Sequence, residues 1–185
     1  MKSVLVVHGG AEGHAADVAA IVAEALNARG VKMEMVDAGS RIAQEIQPIH
    51  SAAILCGALR PHGHDAALQR FVRENREWLA GLPAAFVAAA PFDALADEQG
   101  RQEANASAEA YFRKTDWSPA ITRLVGVAPE PGGEGALRRV MVRLFGGRPA
   151  GPAAAPAEPH AADHDALVRL VDEFLGATSQ EEGGH

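Results

Sequence analysis

The sequence has one cysteine, few aromatic residues and fewer basic than acidic residues. Cys56 is the only cysteine in 185 residues, so no disulfide forms within the chain, which suits a reducing compartment. Aromatic residues make up 5% of the chain, so the core is expected to consist mainly of Val, Leu, Ile and Ala. The 17 Lys and Arg against 24 Asp and Glu give a net charge of −7, which argues against nucleic acid as a partner.

Long apolar segments are also missing. The apolar run after Lys2 ends at the first glycine pair and is too short for a signal peptide. No run approaches the ~20 residues that span a bilayer. We therefore expect a cytoplasmic protein that touches, at most, the inner surface of the membrane.

Short apolar segments alternate with segments of helical periodicity. The pattern predicts β-strands at residues 1–7, 31–36, 52–56, 83–90 and 121–128, helices at 17–29, 65–80, 101–114 and 163–175, a loop or short helix at 38–46 and a loop at 91–98. Asp65 is the predicted N-cap of the helix at 65–80. Repeated strand-then-helix units predict an α/β fold, a doubly wound parallel sheet with helices on both faces. The length favours one domain, residues 1–178, followed by a disordered tail at 179–185.

An insertion at about residues 129–160 follows the fifth strand and is longer than an ordinary connection. Its first part, residues 136–145, predicts a basic amphipathic helix with Arg138, Arg139 and Arg143 off the apolar face, and a Pro/Ala/Gly-rich linker follows. On an acidic protein, such a helix favours weak contact with an anionic membrane surface. The alternative is a helix packed on the domain with its arginines in water.

Two turns that follow buried strands carry four of the eight histidines. The first turn contains His8, Gly9, Gly10, Gly13 and His14, and the second contains His62 and His64. A glycine-rich turn between a buried strand and a helix is where doubly wound proteins hold a phosphate. The four histidines are therefore interpreted as phosphate-contacting or solvated residues, with zinc or another divalent metal as a further candidate ligand.

Several segments together resemble the short, flavodoxin-like protoporphyrinogen oxidases. These segments are the first strand with its glycine turn, residues 57–60, 63–64, 69–72, 82–86 and 111–117, and the arginine-bearing segment that ends at Gly146 and Gly147. The resemblance implies a flavodoxin-like five-stranded sheet of order 2-1-3-4-5. It further implies an FMN-dependent oxidoreductase of heme biosynthesis that takes electrons from a porphyrinogen-type substrate and passes them to a quinone.

The resemblance also indicates which residues bind FMN, while it assigns no catalytic residue. The cofactor-binding candidates are His8, Gly9, Gly10, Gly13, His14 and Ala15 in the first turn, and Ala58, Leu59, Arg60, His64 and Phe92 near the ring. Arg60 matches an arginine of the family and is expected to contact the flavin or a substrate carboxylate.

The first turn departs from the family's phosphate loop. Residues 8–15 contain no hydroxyl, Glu12 lies where a phosphate would approach, and Ala15 stands in place of a threonine. Losing two or three hydrogen bonds to a charged group costs roughly 3–9 kcal/mol. Two interpretations therefore stay open: an FMN-dependent oxidoreductase that binds FMN weakly, and a binding or regulatory module of the same fold that has lost tight FMN binding.

Overall fold

The computed structural model describes residues 3–10, 14–59, 65–128 and 161–182, with side chains at 164–178 in the last segment. Its centre is a parallel sheet of β1 (Val4–His8), β2 (Met33–Asp37), β3 (Ala52–Ala58), β4 (Ala84–Pro91) and β5 (Ile121–Val127). The strand order is β2-β1-β3-β4-β5, which confirms the predicted sheet. Strands β1 and β3 are buried along their whole length, as their continuous apolar sequences require.

Helices cover both faces of the sheet. They are α1 (His14–Ala28), α2 (Arg41–Gln44), α3 (Ala66–Glu74), α4 (Arg76–Ala80), α5 (Glu98–Thr115) and α6 (Ala161–Glu182). Apolar side chains of α1 and α6 pack in one core cluster, and those of α3, α4 and α5 pack in the other. A helical layer therefore covers each face of the sheet, and the loops lie at the ends of the strands.

Three predicted boundaries need correction. The helix predicted at 65–80 is broken at Asn75, whose backbone and side-chain N–H groups both donate to Phe71 O, at 3.0 and 2.9 Å. The loop predicted at 91–98 contains a 3₁₀ turn, Phe92–Leu95, and α5 begins at Glu98 because Asp97 caps it. The last helix, predicted to end at residue 175, continues to Glu182.

The insertion cannot be compared with its prediction, because residues 129–160 lie outside the described residues. The membrane contact predicted for residues 136–145 therefore stays a prediction. Among the helices described here, none combines the length and the apolar character required to cross a bilayer.

Candidate functional site

The carboxyl ends of β1, β3 and β4 form one edge of the sheet, and the predicted site residues lie along it. Strand β1 occupies the point where the strand order reverses, with β2 on one side and β3 on the other. In doubly wound folds the connections leave such a point in opposite directions, and the crevice between them binds ligands.

The turn after β1, defined as residues 8–10 and called the β1 turn, uses its own hydrogen-bond donors. His8 pairs in register with Asp37 and Cys56 and is only 7% exposed. Its Nδ1–H donates to Gly10 O at 2.8 Å, and Gly10 has a φ of 79°, which favours glycine. Gly9 N–H donates to Cys56 O at 3.1 Å. These two N–H groups are therefore already engaged within the protein.

Asp65 connects the second loop to the β1 turn. Its Oδ1 accepts hydrogen bonds from Ala67 N and Leu68 N, at 2.7 and 3.1 Å, which confirms the predicted N-cap of α3. A Cβ placed on Gly9 would lie 2.8 Å from Asp65 Cβ and 2.9 Å from its Cγ. Gly9 therefore has to lack a side chain because Asp65 fills that space.

The negative charge of Asp65 also acts on the core beneath it. Burial raises the pKa of Tyr111, and the charge of Asp65 raises it further, while Arg73 acts in the opposite direction. The Asp65 side chain thus contributes negative potential on the side of the sheet that faces α3 and α5.

The beginning of α1 supplies the remaining described donors on this side. The helix starts at His14, Ala15 is buried, and Asp17 is an exposed acid in the first turn. The first amide N–H groups of a helix have no partner within it, and the helix dipole adds partial positive charge there. This end of α1 therefore attracts an anion, and Asp17 already takes part of that interaction.

A groove lies beside the ends of β3 and β4 and is called the β4 groove. Its volume is about 610 Å³. Its lining combines the apolar Leu59, Ala90 and Ala104 with the acidic Asp93, Asp97 and Glu103. Leu59 is held against β4 because its N–H donates to Ala89 O at 2.7 Å. Phe92, just beyond β4, is 38% exposed.

Close packing between the 3₁₀ turn and α5 shapes the β4 groove. Asp97 Oδ1 accepts a hydrogen bond from Gly100 N at 2.7 Å. A Cβ on Gly100 would lie 2.0 Å from Ala94 O, so only glycine allows this approach. Arg101 Nη1 donates to Leu95 O at 3.1 Å and ties the end of the turn to the helix. The groove wall is therefore a fixed structure.

The structure gathers most of the described site candidates along the carboxyl edge. His8, Gly9 and Gly10 end β1, His14 and Ala15 begin α1, Ala58 and Leu59 end β3, and Phe92 follows β4. Four other candidates, Gly13, Arg60, His62 and His64, lie outside the described residues.

The metal hypothesis finds no added support in this part of the chain. No group of three or more potential ligands occurs among the residues that the structure describes. His8 also uses its Nδ1 on Gly10 O. Because His62 and His64 are not described, metal binding through the four histidines stays a prediction.

Two features of the site were missed by the sequence analysis. One is the packing of Asp65 on Gly9, and the other is the contact of Gly100 with Ala94 O that builds the β4 groove. The adjacency of β1 and β3 was predicted, so it would have brought the loops of Gly9 and Asp65 together. No signal in the sequence marked the second contact.

Comparison with known proteins establishes the fold of the chain and shows no closer relationship. No protein-family model matches the chain, and no curated protein matches it. A flavodoxin of Streptococcus pneumonia has 12% identity and a TM-score of 0.56, covering 94% of this chain and 98% of that one. Flavodoxin 2 of Bacillus cereus has 14% identity and a TM-score of 0.56, covering 95% and 99%. A short-chain flavodoxin associated with a non-canonical PDU bacterial microcompartment has 13% identity and a TM-score of 0.55, covering 96% and 99%.

The fold and the edge crevice define a doubly wound α/β protein. The structural matches make this more specific: the chain has the flavodoxin-like fold.

Proposed function

We propose that this protein binds FMN at the carboxyl edge of the sheet and acts as an FMN-dependent oxidoreductase. The observation that carries the proposal is an aromatic side chain exposed at the carboxyl edge of a flavodoxin-like sheet. Phe92 follows β4, which pairs with β3, and among the described residues it is the most exposed Phe, Tyr or Trp side chain. Its ring offers a flat apolar surface on which another ring packs.

The ring end of the site fits a flavin. Leu59 and Ala90 give the β4 groove an apolar side. Phe92, which precedes the groove residue Asp93 in sequence, adds an aromatic surface. Ligand sites of this size are mostly apolar with a few placed polar groups. The isoalloxazine ring would therefore be held between the end of β3 and the start of the 3₁₀ turn.

The phosphate end of the site fits less well. The first-turn amides of α1 are available to an anion. In contrast, Gly9 N–H donates to Cys56 O and His8 Nδ1–H donates to Gly10 O. With few free donors, we expect FMN to bind with at best about micromolar affinity.

A bound flavin would supply hydride or single-electron transfer, and the chain would supply binding and orientation. The bond from Leu59 N–H to Ala89 O fixes the apolar side of the ring site. The bond from His8 to Gly10 O holds the β1 turn open at a φ that glycine permits. Phe92 would shield a bound ring from water. Each of these roles concerns position and solvent exclusion.

The substrate class of this proposal comes from the sequence resemblance. It implies a porphyrinogen-type electron donor and a quinone acceptor. Part of the resemblance falls on core residues, since Tyr111, Phe112 and Trp117 surround Phe86 with ring centroids 5.0, 5.3 and 6.5 Å from it. These aromatic residues explain packing, so support for the substrate rests on sequence alone.

The test is a titration of the purified protein with FMN, followed by quenching of flavin fluorescence. Saturation with a dissociation constant in about the micromolar range supports the proposal. Absence of saturation up to about millimolar FMN contradicts it and favours a binding or regulatory module. The FMN-loaded protein is then assayed with protoporphyrinogen and a quinone, and absence of turnover there contradicts the substrate class alone.

A further inference from the structure

We infer that Asp65 determines which form of flavin the site accepts, by lowering the affinity for the phosphate-bearing form. The inference rests on the proposed flavin binding and deepens it. Riboflavin, which lacks the phosphate, is expected to bind about as tightly as FMN. The ligand class of the site is then a flavin whose side chain need not carry a charge.

The Asp65 carboxylate is fixed in place beside the β1 turn. Two backbone amides, those of Ala67 and Leu68, donate to its Oδ1. Its Oδ2 lies 3.3 Å from the position that a Cβ on Gly9 would occupy. Packing on Gly9 and the two amide bonds hold the carboxylate beside the β1 turn.

Among the described residues, the charged side chains around the β1 turn include two further acids and one arginine that is paired with a glutamate. Asp37 ends β2 next to His8, and Asp17 lies in the first turn of α1. Arg41, which follows β2, has its Nε hydrogen-bonded to Glu45 at 3.0 Å. His8 donates its Nδ1–H to Gly10 O, and His14 begins α1. The described surroundings of the turn are therefore predominantly acidic.

The relative magnitudes favour repulsion of a phosphate. A phosphate monoester carries a charge of about −1.5 to −2 at pH 7. The N-terminus of a helix contributes the equivalent of about +0.5 charge. The N-terminus of α3, which Asp65 caps, offsets about half of the Asp65 charge, and the remaining negative charge offsets the contribution of α1 to a phosphate. The ribityl hydroxyl of riboflavin carries no charge and is affected by neither interaction. The phosphate thus adds little net affinity.

The structural and electrostatic roles of Asp65 are separable by one substitution. Capping of α3 needs a side-chain acceptor at position 65, and asparagine caps helices about as well as aspartate. Asp65→Asn therefore keeps the bonds to Ala67 and Leu68 and removes the charge. Asp116→Asn is the matched control, because Asp116 lies at the opposite edge of the sheet and adopts a φ of 52° that asparagine tolerates.

The experiment measures dissociation constants of FMN and riboflavin for the wild type, Asp65→Asn and Asp116→Asn by fluorescence quenching. We expect Asp65→Asn to tighten FMN binding about tenfold and riboflavin binding less than about twofold. Asp116→Asn should change neither by more than about twofold, because solvent and salt screen distant charges. Raising ionic strength should tighten FMN binding in the wild type and leave riboflavin unaffected. Asp65→Ser, which also caps the helix, provides a second variant if Asp65→Asn does not fold.

The outcomes separate this inference from the proposed function. Wild-type binding of FMN more than about a hundredfold tighter than riboflavin, unchanged in Asp65→Asn, overturns the inference and leaves FMN binding intact. FMN binding by Asp65→Asn but not by the wild type supports the role of Asp65 and contradicts the proposed function. Binding of neither flavin by any variant overturns both.

Discussion

The two halves of the carboxyl edge differ in what they offer a ligand. At the ends of β3 and β4, an open groove of about 610 Å³ combines apolar side chains with three carboxylates, and the exposed Phe92 precedes the groove residue Asp93 in sequence. At the end of β1, the N–H of Gly9 and the Nδ1–H of His8 are engaged within the protein, and Asp65 packs against the turn. One half is built for an apolar ring, and the other is poorly suited to an anion.

This difference teaches that a fold fixes where a ligand binds more strictly than it fixes the ligand's charge. The path of the backbone alone positions the crevice, because the strand order determines the point at which the connections leave in opposite directions. The charge preference depends on single side chains such as Asp65. Substitutions that act on each half separately are therefore the way to test the comparison.

The largest expected effect concerns the wall of the β4 groove. Gly100→Ala places a Cβ 2.0 Å from Ala94 O, so the 3₁₀ turn has to move, and we expect a loss of about 3 kcal/mol in the free energy of unfolding. The control is Gly176→Ala in α6, where no atom lies within 4 Å. That control should gain up to about 1 kcal/mol from helix propensity. Urea denaturation measures both, and equal stability of the two variants would show that the wall is not rigid.

The next effect concerns the β1 turn. Gly9→Ala drives a Cβ into Asp65 Cβ and Cγ, at 2.8 and 2.9 Å, and we expect a loss of about 2 kcal/mol in the free energy of unfolding. The matched variant Gly39→Ala meets Asp37 Oδ1 at 3.4 Å and should change stability by less than about 0.5 kcal/mol. Thermal or chemical denaturation followed by circular dichroism tests the pair. A neutral Gly9→Ala would mean that Asp65 does not press on the turn.

The ring half is tested by removing its exposed aromatic ring. Phe92→Ala should weaken FMN and riboflavin alike by about tenfold, or about 1.4 kcal/mol, because both share the isoalloxazine ring. Ile49→Ala, at a side chain that is 70% exposed near the start of β3, should leave both affinities unchanged. Fluorescence titration provides the measurement. A loss confined to FMN would place Phe92 near the phosphate and reverse the comparison.

The smallest effect concerns Cys56, whose backbone carbonyl accepts a hydrogen bond from Gly9 N–H. Complete burial raises the pKa of its thiol to about 12. Below the ordinary thiol pKa of about 8.5–9, the thiol is protonated in both the folded and the unfolded state. Its ionisation therefore does not lower the free energy of unfolding in that range. Above it, the unfolded state ionises and stability falls until pH passes the folded pKa. From pH 9 to 10, wild type should lose about 1 kcal/mol more than Cys56→Ala. Parallel stability curves for the two proteins would show that the thiol is hydrated.

Much of the fold was predictable because its signals are local. Each strand is a short apolar run and each helix a periodic one, so all five strands follow from the pattern, whereas the sheet order was implied by the resemblance. The break at Asn75 was not predictable, because the apolar periodicity continues across it and the capping bonds to Phe71 O decide it. The N-cap role of Asp65 was predicted because capping depends on residues close in sequence.

The character of the site was less predictable because it depends on contacts between loops distant in sequence. The absence of hydroxyls in the first turn indicated weak phosphate binding. The use of Gly9 N–H by Cys56 O, and the filling of the space beside Gly9 by Asp65, depend on the relative positions of two loops. Periodicity and composition carry no information about such positions.

The most direct test of the unequal halves is competition between the two flavins for the wild-type protein. The protein is dialysed against FMN with increasing riboflavin, and the bound flavins are separated and quantified. If the ring half supplies most of the binding free energy, riboflavin should displace half of the FMN at a ratio within about tenfold of equality. Retention of FMN against about a hundredfold excess of riboflavin would show that the phosphate is bound strongly and would contradict the account.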